Sequence, residues 1–339
     1  MRSLISIAAV LMMASFIQFD GVSIVPIAAS GQDRVGGIIA GARKALGGED
    51  KVAGLKTLTA EGPFRRSLGG RDMEGTVVVT LARPDKMHRL EEMVMGGMVG
   101  GPTIERTMVL SGAKAWEDTQ NRGGMGGGMR IMMAGPGQGP GGSTMTEEQL
   151  NEARVRRMRV QMQRLTAALL ADAGTPWVDA GVAESPEGKA DILETKEETG
   201  RTLRLFIDQN TKLPLMLQYQ DPKPMVMING GPGRGPGGPG PLGAPGTGGG
   251  PGGGSGMRGA PGGPPQMTPE EMQKRAEEMR RNPPPLGTYA MHLSDFKKVD
   301  GIMLPHKIET SLDGEPNEEW TIEKYKVNGS IKADLWEKK

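Results

Sequence analysis

The strongest constraint on the fold is apolar/polar alternation in short segments separated only by turn residues. The final stretch, Tyr289 to Lys339, shows this most clearly. Asp300-Gly301 and Asp313-Gly314 mark two hairpins there, and Tyr325, Val327, Ile331, Leu335 and Trp336 supply edge and core positions. Upstream, Leu55–Glu61 and Arg71–Leu81 read as strands on either side of Gly69-Gly70. Pro84–Val94 follows, then Thr103–Trp116 with a turn at Ser111-Gly112. Further strands are predicted at Asp179–Ala183, Ala190–Lys196, Thr202–Asp208 and Pro214–Gln220. Within each of these two runs no segment of helical length separates consecutive strands. The fold class is therefore α+β with an antiparallel sheet, and βαβ crossovers are excluded.

Helices are few. Val35, Ile38, Ile39, Ala42, Ala45 and Leu46 predict one over Asp33–Lys51, with Gly47-Gly48 as a stop signal. A second runs from Thr146 to about Ala171, opened by a capping box of Thr146 and Gln149. Its apolar stripe is Leu150, Met158, Met162, Leu165 and Leu169. Arg154, Arg156, Arg157, Arg159 and Arg164 crowd the rest of its surface, as on a solvated face or one meeting a membrane or an acidic partner. A third, charged helix starts at Thr268 with Pro269 in its first turn and ends before Pro283.

Composition locates the segments that do not fold. The 54 glycines and 26 prolines concentrate in a Gly/Met-rich loop at 119–145 and a Gly/Pro-rich segment at 229–267, both of which read as disordered insertions. Residues 1–30 have a basic start at Arg2, an apolar run from Leu4 to Ala14 and small residues at Ala28-Ala29-Ser30. This is the layout of a cleaved secretory signal, the alternative being an uncleaved membrane anchor. Residues 31–339 are then one soluble domain with two interruptions. Export without a single cysteine removes disulfides and thiolate chemistry, so the core must hold by packing alone.

Function classes narrow in the same way. A net charge of +1 gives no field for nucleic acid. The chain has no G-x-S-x-G elbow, H-E-x-x-H pair or phosphate loop, and His88, His292 and His306 fall in three separate strands as surface or cavity-edge residues. The expectation is a non-enzymatic protein with no catalytic residues, no metal and no cofactor. Twenty-five methionines, some in close pairs such as Met93/Met95, Met132/Met133 and Met225/Met227, fit ordinary core filling, an adaptable apolar lining, or thioether binding of copper(I). Asn328-Gly329-Ser330 reads as a turn.

Four short motifs carry a family likeness. They are Pro84-Asp85-Lys86-Met87-His88-Arg89, Val109 to Trp116, Leu205-Phe206-Ile207-Asp208 followed by Leu213-Pro214, and Val299-Asp300-Gly301-Ile302-Met303-Leu304-Pro305. In this order, between Val35 and Trp116 and between Val178 and Trp336, they resemble the LolA/LolB superfamily of bacterial lipoprotein carriers and sorting proteins. The resemblance implies a curved sheet forming an unclosed half-barrel, covered by helices, with acyl chains held on its concave face. It implies a monomer in the periplasm that takes part in outer-membrane biogenesis, with lipid or lipoprotein acyl chains as partners. Other envelope proteins become the partners if the fold serves as a cargo-free sensory module. Ungapped, the family's strand arginine falls on His88, with Arg89 one residue later on the opposite face. The expected cavity or rim residues are Met87, His88, Arg89, Leu90, Met108, Trp116, Leu165, Leu169, Leu205 and Ile207.

Overall fold

The structure is a computed structural model that describes residues 23–25, 31–68, 71–94, 103–122, 146–185, 188–224, 274 and 285–338. Contacts divide the chain into two units. Every element named below belongs to the first, Met1–Met129, Thr146–Lys223 and Pro285–Lys339; the second is outside the described residues apart from Pro224 and Lys274. The expected Gly/Pro-rich segment 229–267, Met95, Met132/Met133, Met225/Met227 and nearly all of the helix from Thr268 are likewise outside them. So is the signal segment 1–30, except for Ser23–Val25.

The described chain is a short strand β1 (Ser23–Val25), helices α1 (Gly31–Leu46) and α2 (Glu49–Ala53), and strands β2 (Thr57–Leu68), β3 (Arg71–Ala82), β4 (Lys86–Val94), β5 (Thr103–Ser111) and β6 (Lys114–Arg122). Then come α3 (Glu147–Ala168), β7 (Val178–Ser185), β8 (Gly188–Lys196), β9 (Thr202–Asp208) and β10 (Pro214–Pro222). The last elements are β11 (Leu286–Val299), β12 (Ile302–Leu312), β13 (Glu315–Thr321), β14 (Lys324–Val327) and a 3-10 turn at Ala333–Trp336. The helix expected over Asp33–Lys51 is two helices, because Gly47 and Gly48 take φ values of 132° and 107° that break it. Strand β6 continues to Arg122, so Thr119–Arg122 belong to the sheet and not to the expected loop; the rest of 119–145 lies outside the described residues.

All fourteen strands form one antiparallel sheet in the order β1-β7-β8-β9-β10-β11-β12-β13-β2-β3-β4-β5-β6, with β14 also on β2. It does not close, and it is the α+β unclosed half-barrel expected. The sheet is two meanders, β2–β6 and β7–β13, joined along β2. One side of β2 pairs with β3 from end to end. Its other side takes β13 at Phe64–Arg66 and β14 at Leu58–Glu61. Between these two pairings the C-terminal strand lifts over Gly62, where a Cβ would stand 2.0 Å from the Thr321 carbonyl oxygen. Only glycine allows that approach.

Helix α3 lies over the buried face of the sheet. The capping box of Thr146 and Gln149 is present, and Val155, Met158, Val160 and Met162 are buried. Helix α1 buries Ala42 and Leu46 fully and packs near β7 and β12.

Candidate functional site

In an antiparallel sheet directly paired residues share a face, as do positions two apart along a strand. The registers Leu58–Leu81–Met87–Leu110, Ala60–Val79–Arg89–Met108, Phe64–Trp320–Ile308–Leu293 and Met291–Leu217–Leu205–Leu193 therefore trace one continuous inner face across both meanders. Where β2, β3 and β11–β14 meet under the C-terminal half of α3, this face opens into an apolar slit. Its walls are Leu58, Ala60, Val79 and Leu81 of β2 and β3, Met291 and Leu293 of β11, Pro305 and Ile308 of β12, and Trp320, Ile322 and Tyr325 of the C-terminal strands. Leu165, Ala168 and Leu169 of α3 roof it. Its empty volume, counting the open side, is about 510 Å³. The walls stand close together, so an acyl chain fits only if α3 lifts.

Both ends of that roof are tied to the sheet. Near the helix start, Asn151 donates to the Ala113 carbonyl at 3.0 Å and accepts from the Ala115 N–H at 2.9 Å, while Arg157 donates to Glu117 at 2.6 Å. Toward the other end, Arg164 donates through Nε and Nη2 to Glu197 at 2.6 and 3.1 Å and through Nη1 to Asp221 at 3.0 Å. Its guanidinium lies 3.6 Å above the Tyr219 ring. Arg164 is only 5% exposed. This corrects the expectation of a solvated arginine face for Arg157 and Arg164, which turn inward to Glu117 and Glu197, while Arg156 and Arg159 are exposed as expected; helical spacing cannot show which of them turn.

An ionic cluster adjoins the slit on the same face. Arg66 reaches Glu91 at 2.8 Å and Glu318 at 2.9 Å. Arg89 contacts Glu91 and reaches Glu318 at 3.1 Å, with its guanidinium 4.7 Å above Trp320. Burial alone would raise the Glu91 pKa, but the flanking Arg89 and Arg66 outweigh it and hold the carboxyl well below the usual range. Glu318 is lowered by the same balance against Arg66 and Arg89.

The expected site residues divide into three groups. Leu165 and Leu169 line the slit. Met87, Arg89, Met108, Leu205 and Ile207 share its face but lie outside it; the four apolar ones are packed in the core, and Arg89 belongs to the ionic cluster. His88, Leu90 and Trp116 are on the opposite face, His88 paired across to Thr80 and Val109, and Val109 to Trp116. His88 is buried at 8% exposure, not a surface residue, and that burial lowers its pKa. Most of the slit wall, from Leu58 to Tyr325, was missed. Its signal was the alternating pairs Leu58/Ala60, Val79/Leu81 and Met291/Leu293, but alternation does not say which strands become neighbours. Among the described residues no group of three His, Asp or Glu side chains could hold a metal ion, and no helix is long and apolar enough to cross a membrane.

No family model and no curated protein matches the sequence. Solved structures similar to the chain include the following two. A DUF1329 family protein from Desulfovibrio piger aligns with a TM-score of 0.39 and 11% identity, over 89% of this chain and 97% of that one. A LolA superfamily protein from Nitrosomonas europaea aligns with a TM-score of 0.37 and 8% identity, over 88% and 97%.

Proposed function

We propose that the protein is a non-enzymatic periplasmic carrier that holds the acyl chain of a lipid or lipoprotein, or another apolar ligand, in the slit beneath α3. The slit carries this reading. It lies at the seam between the two meanders, its lining is apolar, and a helix tethered at its ends covers it. Each methylene moved from water into such a space contributes roughly 0.8 kcal/mol, so a long acyl chain binds without a charged contact once α3 has lifted. Residues 1–30 serve in this reading as an export signal removed from a monomeric domain, 31–339. Mass spectrometry of the exported chain tests that cleavage. For the carrier itself, organic extraction of the purified protein should release lipid, and a fluorescent fatty acid should bind and be displaced by unlabelled fatty acid. Failure of both removes the carrier.

The narrowness of the slit favours a second reading, an envelope interaction or sensory module on the same scaffold with no cargo. Deleting 230–266 separates the two. Lipid binding survives the deletion if the slit is the functional part, whereas the module loses its envelope partners.

A further inference from the structure

Beside the slit is a small hollow that shares Leu58, Leu81 and Leu169 with it and is also lined by Thr166 and the stems of Lys56 and Arg83; its empty volume, counting the open side, is about 220 Å³. No carboxylate lines this hollow. The cations here differ from those elsewhere on the inner face. Arg66, Arg89, Arg106, Arg157 and Arg164 each meet at least one carboxylate. Arg83 instead donates to the Leu55 carbonyl at 3.1 Å, and the exposed Lys56 has no ion pair among the described residues. An apolar slit with two cations beside it that have no counter-charges among the described residues complements one kind of molecule, a long apolar chain with an anion at its end.

We propose that the ligand of the slit is a single-chain anionic amphiphile, a long-chain fatty acid, with its chain under α3 and its carboxylate at Lys56 and Arg83. This rests on the slit being the ligand site. A guanidinium presents paired N–H donors to a carboxylate and an ammonium adds a mobile point charge, so together they recognise the head and leave the chain to apolar contact. An uncharged analogue of the same length gains only the chain contacts.

Displacement titrations on the full chain with hexadecanoate and with hexadecan-1-ol test this. Hexadecanoate should bind about tenfold more tightly at low salt, and the advantage should shrink as added salt shortens the Debye length to a few ångströms. Lys56→Glu should weaken hexadecanoate binding by at least roughly two- to fivefold, the scale of one exposed ion pair, and leave hexadecan-1-ol unchanged. Arg83→Gln should add to that loss, and Lys56→Glu, at an exposed side chain, stands alone if the Arg83 variant folds poorly. Equal binding of acid and alcohol, with no effect of Lys56→Glu, overturns the assignment and leaves the carrier standing. If neither compound binds, the carrier reading fails and takes this inference with it.

Discussion

The slit and the ionic cluster lie side by side on one face and meet at Trp320, yet opposite forces hold them. The cluster is directional and self-satisfied: Arg66 and Arg89 each bridge the two carboxylates Glu91 and Glu318. Removing one partner leaves a buried charge without compensation, which makes the cluster rigid. The slit itself is lined by apolar contact, which is non-directional, and directional bonds hold only the two ends of its roof. A ligand's methylenes would make the same kind of contact with the wall as the side chains of α3 do. One face thus has a fixed, ionic half and a half lined by non-directional apolar contact.

The sharpest test of this contrast is Glu91→Gln. It leaves Arg66 and Arg89 with only Glu318 and should lower the unfolding free energy in urea by about 3–5 kcal/mol. Fatty-acid affinity of the folded protein should stay the same; a parallel loss of affinity would mean that the two halves are not independent.

Acid probes the same carboxylates. Glu91, Glu318 and Glu117 are all held below their ordinary value of 4.5, so the unfolded chain takes up protons first as pH falls. Their contribution is complete above about pH 4.5 and is lost below it as their folded-state values are approached. The urea midpoint should fall steeply in that range, and less steeply in Glu91→Gln than in the parent chain.

On the other half, Ala60→Leu fills the slit from its β2 wall. Fatty-acid affinity should drop about tenfold, and stability should fall by about 1–3 kcal/mol because the added carbons crowd walls that already stand close together. Unchanged affinity would place the ligand elsewhere.

The smallest effect belongs to the outer face. Burial holds the His88 pKa below 6.5, so His88 stays neutral in the fold while the unfolded chain protonates. Stability should dip slightly as pH falls through 6.5, and His88→Gln should remove that part of the dip without touching ligand affinity.

Much of the scaffold is legible in the order of residues alone. Turn residues and alternation between Leu55 and Leu312 mark nearly every strand, and the capping box at Thr146 marks the start of α3. These signals are local, since a two-residue turn or an N-cap acts within a few positions of itself. Leu165 and Leu169 are legible for the same reason, as one stripe of a 3.6-residue period. The ranking of His88, Leu90 and Trp116 beside Met87 and Arg89 fails at the next level, since strand neighbours in sequence face opposite ways.

The sequence by itself thus determined an antiparallel α+β protein without disulfides, its hairpins and the apolar stripe of its main helix. The tertiary structure decided where the two meanders join. Phe64 and Trp320 are distant in the chain, and their pairing depends on Gly62 letting the C-terminal strand pass over β2. It also decided that Arg164 turns inward to Glu197 and that Lys56 and Arg83 line the hollow beside the slit. Alternation specifies which residues share a face, whereas the order of strands in the sheet specifies which faces meet, and that order is set by contacts between segments far apart in sequence.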